Sequence, residues 1–145
     1  MTPRVVFDSN VIFSAIGWRG TPRDCLNLAR TWVVQGLVCQ HILDEVLEKL
    51  MTKLHKNIDE ASQIVDELLA FIEMVETMGT LHGICADPDD DEVIECAVVG
   101  RARYLVVTGD VKHLLPMREF QGIRIVSPVE FVQIVASIQQ EPRDV

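Results

Sequence analysis

The sequence lacks most of the features that mark specialised classes of protein. Only 6% of its 145 residues are aromatic, which argues against an extensive surface for stacking nucleic-acid bases. The opening Met-Thr-Pro-Arg-Val-Val-Phe-Asp has neither the basic segment nor the long apolar core of a signal peptide. No stretch approaches the roughly 18 apolar residues of a membrane-spanning helix. We therefore expect a soluble, cytoplasmic protein with no membrane partner.

Metal-binding spacings of cysteine and histidine are also missing. The chain has four cysteines and four histidines, but no Cys-x-x-Cys or His-x-x-x-His pair. The cysteines lie in or beside apolar segments, where a free cysteine behaves as a small hydrophobic residue. We expect them to pack in the core, and neither set favours a zinc site.

Positive charge is scarce and unevenly distributed. The formal net charge is −9, and residues 41–100 contain 15 acidic and 3 basic groups. A simple non-specific nucleic-acid-binding module would be expected to show a basic surface, and the chain as a whole does not. The balance is compatible with a metal-dependent enzyme, in which a cation offsets clustered carboxylates.

The apolar spacing predicts alternating strands and helices. Strands are predicted at 3–7, 37–39, 104–107 and 122–126, with a weaker candidate at 81–85. Helices are predicted at 22–34 with Thr21 as the cap, from His41 to Leu54, at 59–78, from an Asp89/Glu92 capping box through Ala102, at 111–115, and at 128–138. This alternation indicates one α/β/α domain with a central parallel sheet over residues 1–140, followed by a polar tail at 141–145.

Two carboxylates follow predicted strands. Asp8 comes directly after the first strand, and Asp110 follows the strand at 104–107. If these strands are adjacent and parallel, both acids lie at the carboxyl edge of the sheet, where ligands bind in open α/β folds. Further acids from the 87–91 turn and from the helix that starts near His41 could converge there.

Such a cluster would repel itself unless it surrounded a hard divalent cation, Mg²⁺ or Mn²⁺, bound through oxygen. The chemistry would suit hydrolysis of a phosphodiester. Each acid also has an ordinary structural use, as a turn residue or helix cap. Periodicity does not choose between Asp44 and Glu45 on the second long helix.

Four motifs in this order resemble the PIN-domain family, in particular the VapC-like toxin branch of prokaryotic toxin–antitoxin systems. They are Val-Val-Phe-Asp-Ser-Asn-Val-Ile at 5–12, Ile-Leu-Asp-Glu-Val-Leu at 42–47, Asp-Pro-Asp-Asp-Asp-Glu-Val-Ile-Glu-Cys-Ala at 87–97 and Val-Val-Thr-Gly-Asp at 106–110. The resemblance implies a Mg²⁺- or Mn²⁺-dependent ribonuclease with a PIN-like three-layer α/β/α fold. It also implies a homodimer, an RNA substrate and a cognate antitoxin protein.

The resemblance assigns roles to individual residues. The four acids that hold the metal and carry catalysis are Asp8, Glu45, Asp90 and Asp110. The auxiliary residues are Asn10, Asp87, Asp91 and Thr108. Apart from the resemblance, position near the predicted site makes Arg19 and Arg23, by the 17–22 loop, and Lys112, just after Asp110, candidate substrate contacts. Asp91 stands where this branch usually has Asn, and Ser9 stands where Thr is more usual.

Three other functions compete with the nuclease. A haloacid-dehalogenase-type phosphatase needs a second Asp two residues after Asp8, where this chain has Asn10. A receiver domain normally pairs two acids before its phosphorylated Asp, and that pair is absent. A catalytically weak PIN fold that binds RNA or protein is the non-enzymatic alternative. The presence of all four acids favours the enzyme.

Overall fold

The computed structural model describes residues 2–108 and 114–140 of the chain. The strands are β1 (Arg4–Phe7), β2 (Gln35–Val38), β3 (Ile72–Met74), β4 (Tyr104–Val106), β5 (Glu119–Phe120) and β6 (Ile123–Val126). The helices are α1 (Ser9–Gly17), α2 (Thr21–Arg30), α3 (Gln40–Lys53), α4 (Ile58–Leu69), α5 (Pro88–Val99) and α6 (Pro128–Gln140), with a short 3-10 turn at Leu115–Met117. The predicted tail at 141–145 and the predicted helical residues 111–113 lie outside the described residues.

The strands form one sheet in the order β3-β2-β1-β4-β6-β5. All neighbouring pairs are parallel except β5 with β6. The predicted three-layer α/β/α fold is confirmed, with a short antiparallel edge strand that the sequence did not indicate. The predicted adjacency of the first strand and the strand near 104–107 is also confirmed, since Phe7 is paired with Val106.

The core lies where the helices cover the central strands. Val5, Val6 and Phe7 of β1 are fully buried, as expected for a parallel strand covered on both faces. The Phe131 ring of α6 meets the Phe7 and Tyr104 rings edge to face, with centroids 6.0 and 5.8 Å apart. The cysteines pack as predicted: all four are free, Cys85 is half-buried, and the other three are buried.

The predicted helix at 59–78 is too long. α4 ends at Leu69, and the following residues form the edge strand β3, in which Met74 pairs with Val38 of β2. The prediction was too long because the apolar residues at 68, 72 and 75 keep a helical spacing across the end of α4. The short strand β3 therefore cannot be distinguished from a continued helix by this spacing. Asn57 caps α4 in a capping box with Glu60.

The weak strand predicted at 81–85 is wrong. The backbone N–H groups of Leu81, Gly83 and Cys85 instead donate to carboxylates of α5. The acceptors of these N–H groups are therefore side-chain carboxylates, and residues 81–85 pair with no strand of the described residues. The loop is held by acidic side chains, which a strand pattern does not reveal.

Several helix ends also differ from prediction. Gly20, not Thr21, is the cap of α2, and α2 ends at Arg30, after which Trp32 turns the chain with a φ of 63°. α5 is capped by Asp87 rather than Asp89. α5 ends at Val99 and does not reach the predicted Ala102. At the following residue, Gly100, there is no room for a side chain, because a Cβ atom would lie 2.9 Å from Leu37 Cδ1. Pro116 lies inside the 3-10 turn instead of ending a helix.

Candidate metal and phosphodiester site

Asp8 is a buried carboxylate at the carboxyl end of β1. Its backbone N–H donates to Val106 O at 3.0 Å, which ties the end of β1 to β4. Its Oδ1 accepts from Ser9 N at 2.7 Å at the start of α1, and the residue is only 6% exposed. Burial raises the pKa of Asp8, while the Ser9 N–H, Lys49 and His41 partly oppose the rise. Burial therefore disfavours the ionised form of Asp8, and a nearby cation favours it.

Lys49 joins α3 to the turn that carries Asp8. Its Nζ donates to Ser9 Oγ at 3.0 Å and to Asn10 Oδ1. The predicted auxiliary residue Asn10 is therefore oriented by a lysine that the sequence analysis missed. The available signal was its spacing, because Lys49 follows Glu45 by four residues and so shares its face of α3.

Glu45 lies beside Asp8 in the same site. Burial raises the pKa of Glu45, and the nearby negative charge of Asp8 raises it further, while His41 and Lys49 oppose the rise. The other candidate on this helix, Asp44, is exposed and its Oδ1 accepts from Gln40 Nε2 at 2.8 Å. The structure thus brings Glu45, and not Asp44, towards the carboxylate of Asp8.

His41 links α3 to the acidic start of α5. Its Nδ1 contacts Glu92, while its Nε2 lies 3.3 Å from Glu45 Oε1 and 3.7 Å from Asp89 Oδ1. Nε2 is buried and makes no hydrogen bond within the described residues. The sequence analysis did not select His41 or Asp89; both belong to segments it had singled out.

The acids of the 87–91 turn have different structural roles. Asp87 caps α5 by accepting from Asp89 N at 2.9 Å. Asp91 is buried and accepts from Cys85 N at 2.6 Å and from Gly83 N at 3.0 Å. Asp90, the predicted third acid, is half-buried between them. Both oxygens of Asp91 therefore already hold the preceding loop.

Glu95 extends this arrangement by one helical turn. It is 2% exposed and accepts from Gly79 N at 2.9 Å and Leu81 N at 2.7 Å. Burial by itself would raise the pKa of Glu95, but these backbone donors outweigh burial and lower it. The sequence analysis missed this role, since nothing local indicates which backbone groups fold onto α5.

The remaining predicted site residues are spread over the structure. Thr108 is half-buried just beyond β4, and Arg19 is exposed in the loop after α1. Arg23 donates to Ala15 O at 2.8 Å and Ile16 O at 3.1 Å, so its guanidinium caps the carboxyl end of α1. Asp110 and Lys112 lie outside the described residues.

A separate groove of about 330 Å³ lies between the carboxyl end of α1, α2 and the end of α4. Arg23, Arg30 and Phe71 are among its lining residues. Asp8, Glu45 and Asp90, the predicted acids within the described residues, do not line it. Arg23 therefore belongs to this groove and to the cap of α1, and not to the surroundings of Asp8.

The donor chemistry at the sheet edge fits a hard divalent cation. Asp8 and Glu45 offer carboxylate oxygens in surroundings that disfavour their charge, and Mg²⁺ and Mn²⁺ prefer oxygen ligands. Within residues 2–108 and 114–140, no three or more His, Cys, Asp or Glu side chains form a group able to hold a metal ion by themselves. The fourth predicted acid, Asp110, is not among those residues.

The protein is a mostly parallel α/β/α domain that carries carboxylates at the carboxyl edge of its sheet. The family model of the PIN domain matches residues 4–112. The chain therefore belongs to the PIN-domain family. In the part of the chain that is described, no helix is both long and apolar enough to cross a membrane.

A solved structure has the same fold. It is VapBC2 from Rickettsia felis bound to a DNA fragment from the promoter of its genes, and one of its chains superposes with a TM-score of 0.57 at 12% sequence identity. The match covers 86% of the present chain and 98% of the other. No curated protein sequence matches the chain.

Proposed function

We propose that this chain is a metal-dependent endoribonuclease that hydrolyses RNA phosphodiester bonds, and that it is the toxin of a toxin–antitoxin pair. The observation that carries the proposal is Asp8, a buried carboxylate at a strand end whose pKa is raised and which lies beside Glu45. Membership of the PIN-domain family supports nuclease activity. The likeness to VapBC2 supports the toxin branch that the four sequence motifs indicate.

The metal ligands in this proposal are Asp8, Glu45, Asp90 and Asp110, with Mg²⁺ or Mn²⁺ as the ion. When bound, a divalent cation supplies Lewis acidity: it lowers the pKa of water and stabilises negative charge on the phosphate oxygens. Glu45 is half-buried and faces Asp8, so its carboxylate can also orient a water for attack on the phosphorus. Hydrolysis in this orientation leaves a 5′-phosphate.

Lys49 is a positioning residue in this mechanism. Its bonds to Ser9 Oγ and Asn10 Oδ1 fix the turn that follows Asp8 against α3, which carries Glu45. Lys49 thereby links the helix that carries Glu45 to the residues that directly follow Asp8. Asn10 and Thr108 are the polar groups proposed to orient the acids or a water.

The proposal is tested by cleavage of a mixed RNA substrate with Mg²⁺ or Mn²⁺, and with EDTA. We expect Asp8→Asn, Glu45→Gln and Asp110→Asn each to reduce cleavage more than the roughly 10- to 100-fold that loss of a residue supporting the ligands costs. Asp44→Asn is the matched control, because Asp44 is the adjacent acid on α3 but bonds Gln40 instead. Its cleavage should equal that of the wild type.

Two results would contradict the proposal. Cleavage that survives EDTA or survives Asp8→Asn would place the activity at another site. A wild type that neither cleaves RNA nor binds Mg²⁺ or Mn²⁺ in calorimetry would instead indicate a PIN fold that only binds RNA or protein. A homodimer, a cognate antitoxin and a cytoplasmic location belong to the same proposal, and light scattering with and without a candidate antitoxin protein tests the first two.

A further inference from the structure

Two segments of this acidic chain carry positive charge and no acid. Residues 10–23 contain two arginines and no acidic residue, and residues 49–56 contain three lysines and no acidic residue. Those three lysines are all the lysines and arginines between residues 41 and 100, a region that otherwise has 15 acids. Local charge of one sign against an opposite background marks a place where an anion can approach.

The two segments lie side by side. Lys49 Nζ bonds Asn10 Oδ1, and one turn later Lys53 Nζ lies 5.8 Å from the centre of the Phe13 ring. A Cβ atom on Gly17 would lie 3.6 Å from Leu54 Cδ1. α1 and the second half of α3 therefore run in the same direction, away from Asp8.

An exposed aromatic ring stands at the far end of this pair of helices. Trp18 meets the Phe13 ring edge to face, with centroids 5.5 Å apart and an interplanar angle of 75°. Trp18 is nevertheless 55% exposed, and Arg19 beside it is exposed as well. Phe13 is buried, so it contacts the Trp18 ring from the side of the core, and more than half of Trp18 stays exposed to solvent.

We propose that these residues bind single-stranded RNA next to the bond that is cut. The α1–α3 strip, as we call it, consists of Phe13, Trp18, Arg19, Lys49 and Lys53. Trp18 stacks on a base, while Lys53 and Arg19 contact phosphates. Lys49 stands at the junction with the carboxylates. The proposal rests on the ribonuclease function proposed above and adds the side chains that hold the substrate beside the carboxylates.

The dimensions and chemistry of the strip favour an unpaired strand. Ten residues separate Asp8 from Trp18, about 15 Å along a helix, which is a path for a few nucleotides. Base stacking on a tryptophan requires a base that is not already stacked in a duplex. Lysine and arginine side chains beside the ring can then contact the phosphates of the same RNA strand. The 15 acids of residues 41–100 repel phosphates, and the three lysines of that region, two of which belong to the strip, offset this repulsion locally.

The test is the affinity of the full-length chain for a short fluorescein-labelled single-stranded RNA, measured by anisotropy in EDTA so that no cleavage occurs. We expect Trp18→Ala to weaken binding at least about fivefold, the lower end for loss of one base stack, and Trp18→Phe to restore part of it. Lys53→Gln should reduce the slope of log affinity against log salt by about 0.7, the value for one phosphate contact on a single strand.

Two matched controls separate the strip from general surface effects. Trp32→Ala removes the other tryptophan, which is equally exposed at 58% but lies in the turn between α2 and β2. Arg103→Gln removes a cation 5.7 Å from the Tyr104 ring, a contact like that of Lys53 with Phe13 but at the start of β4, the opposite edge of the sheet. Both should bind RNA as the wild type does.

The outcomes distinguish this inference from the proposed function. Wild-type cleavage of RNA together with unchanged affinity in Trp18→Ala and Lys53→Gln would overturn the strip alone. Equal weakening by Trp32→Ala and Arg103→Gln would also overturn it. If the strip variants lost only the capture of a protein partner, the strip would be a protein-binding surface. Absence of both RNA cleavage and RNA binding in the wild type would overturn both proposals.

Discussion

Two pairs of buried or half-buried acids occur in this protein, and they are stabilised in opposite ways. Asp91 and Glu95, one turn apart on α5, accept backbone N–H groups from the 79–85 segment. Asp8 and Glu45 come from different elements, and among backbone donors in the described residues Asp8 receives only Ser9 N–H. The first pair accepts four backbone N–H groups, whereas Asp8 accepts one and Glu45 lies 3.3 Å from His41 Nε2.

The pKa directions follow from this difference. Backbone donors hold the pKa of Glu95 down despite its burial, whereas burial raises the pKa of both Asp8 and Glu45. A carboxylate that has its hydrogen bonds already is part of the scaffold. One that is buried without them carries a cost that a bound cation can offset. Acidic residues of this protein therefore differ in the direction of their pKa shift according to the donors they receive.

The largest expected effect is on the scaffold pair. Glu95→Ala should lower the free energy of unfolding by about 3 kcal/mol, because it leaves Gly79 and Leu81 N–H without their charged acceptor. Urea unfolding measures the change, and Glu48→Ala, an exposed acid of α3, should stay within about 0.5 kcal/mol of wild type. An equal loss in both variants would mean that the backbone donors of the loop do not matter.

The pH dependence of Glu95 has a defined sign. Its folded pKa is lowered, so its contribution is present above the unfolded value of about 4.3 and is lost as the pH falls through the folded value. The stability difference between wild type and Glu95→Gln should therefore shrink in acid. A difference that grew towards low pH would contradict the pairing described here.

The next effect is on the residue that supports the functional pair. Lys49→Gln should cost about 1–2 kcal/mol in EDTA, through loss of charged bonds to Ser9 and Asn10, and about 10- to 100-fold in cleavage. Added Mg²⁺ should reduce the stability loss, since the cation takes over the neutralisation of Asp8. Lys56→Gln is the control for the loss of one lysine charge. If Mg²⁺ did not change the loss of stability in Lys49→Gln, the role of Lys49 would be structural only.

The smallest effect has the opposite sign. Asp8→Asn should stabilise the metal-free protein at pH 7 by roughly 1 kcal/mol, the common scale of single substitutions, because Asn keeps an oxygen for Ser9 N–H without the buried charge. The folded pKa of Asp8 is raised, so the cost of ionising it is absent below about pH 4 and grows as the pH rises through the folded value.

Thermal unfolding across pH measures this effect. The advantage of Asp8→Asn should disappear in acid, and saturating Mg²⁺ should reverse it at pH 7, because a ligand that binds only the folded wild type stabilises that form. An Asp8→Asn variant that is less stable than wild type in EDTA at pH 7 would show that Asp8 belongs with the scaffold acids.

The sequence predicted one of these pairs and not the other for a physical reason. Asp8 directly follows a buried β-rich run, and the sheet edge it occupies follows from the alternation of strands and helices. Glu45 was chosen over Asp44 by family resemblance, since periodicity placed both on the polar side of α3. The roles of Asp91 and Glu95 depend on where the 79–85 segment folds, and a loop held by side chains leaves no periodic signal.

Edge elements escaped prediction for a related reason. β3 and β5 have three and two residues. Each strand is therefore too short for its alternating apolar and polar pattern to be distinguished. Ile72 and Val75 continued the helical spacing of α4. The central strands β1 and β4 were predicted well because burial on both faces makes their residues uniformly apolar.

The column of side chains on α3 has a consequence for how the chain can vary in length. His41, Glu45, Lys49 and Lys53 recur every four residues, so each side chain is rotated by about 40° from the one before it. The proposed acid site and the proposed RNA contacts therefore lie along one stripe that winds slowly around the helix. One inserted residue would rotate everything after it by about 100° and move both lysines away from α1. Insertions and deletions in α3 are therefore tolerable only in whole turns, whereas the loop at 54–57 is free of this constraint.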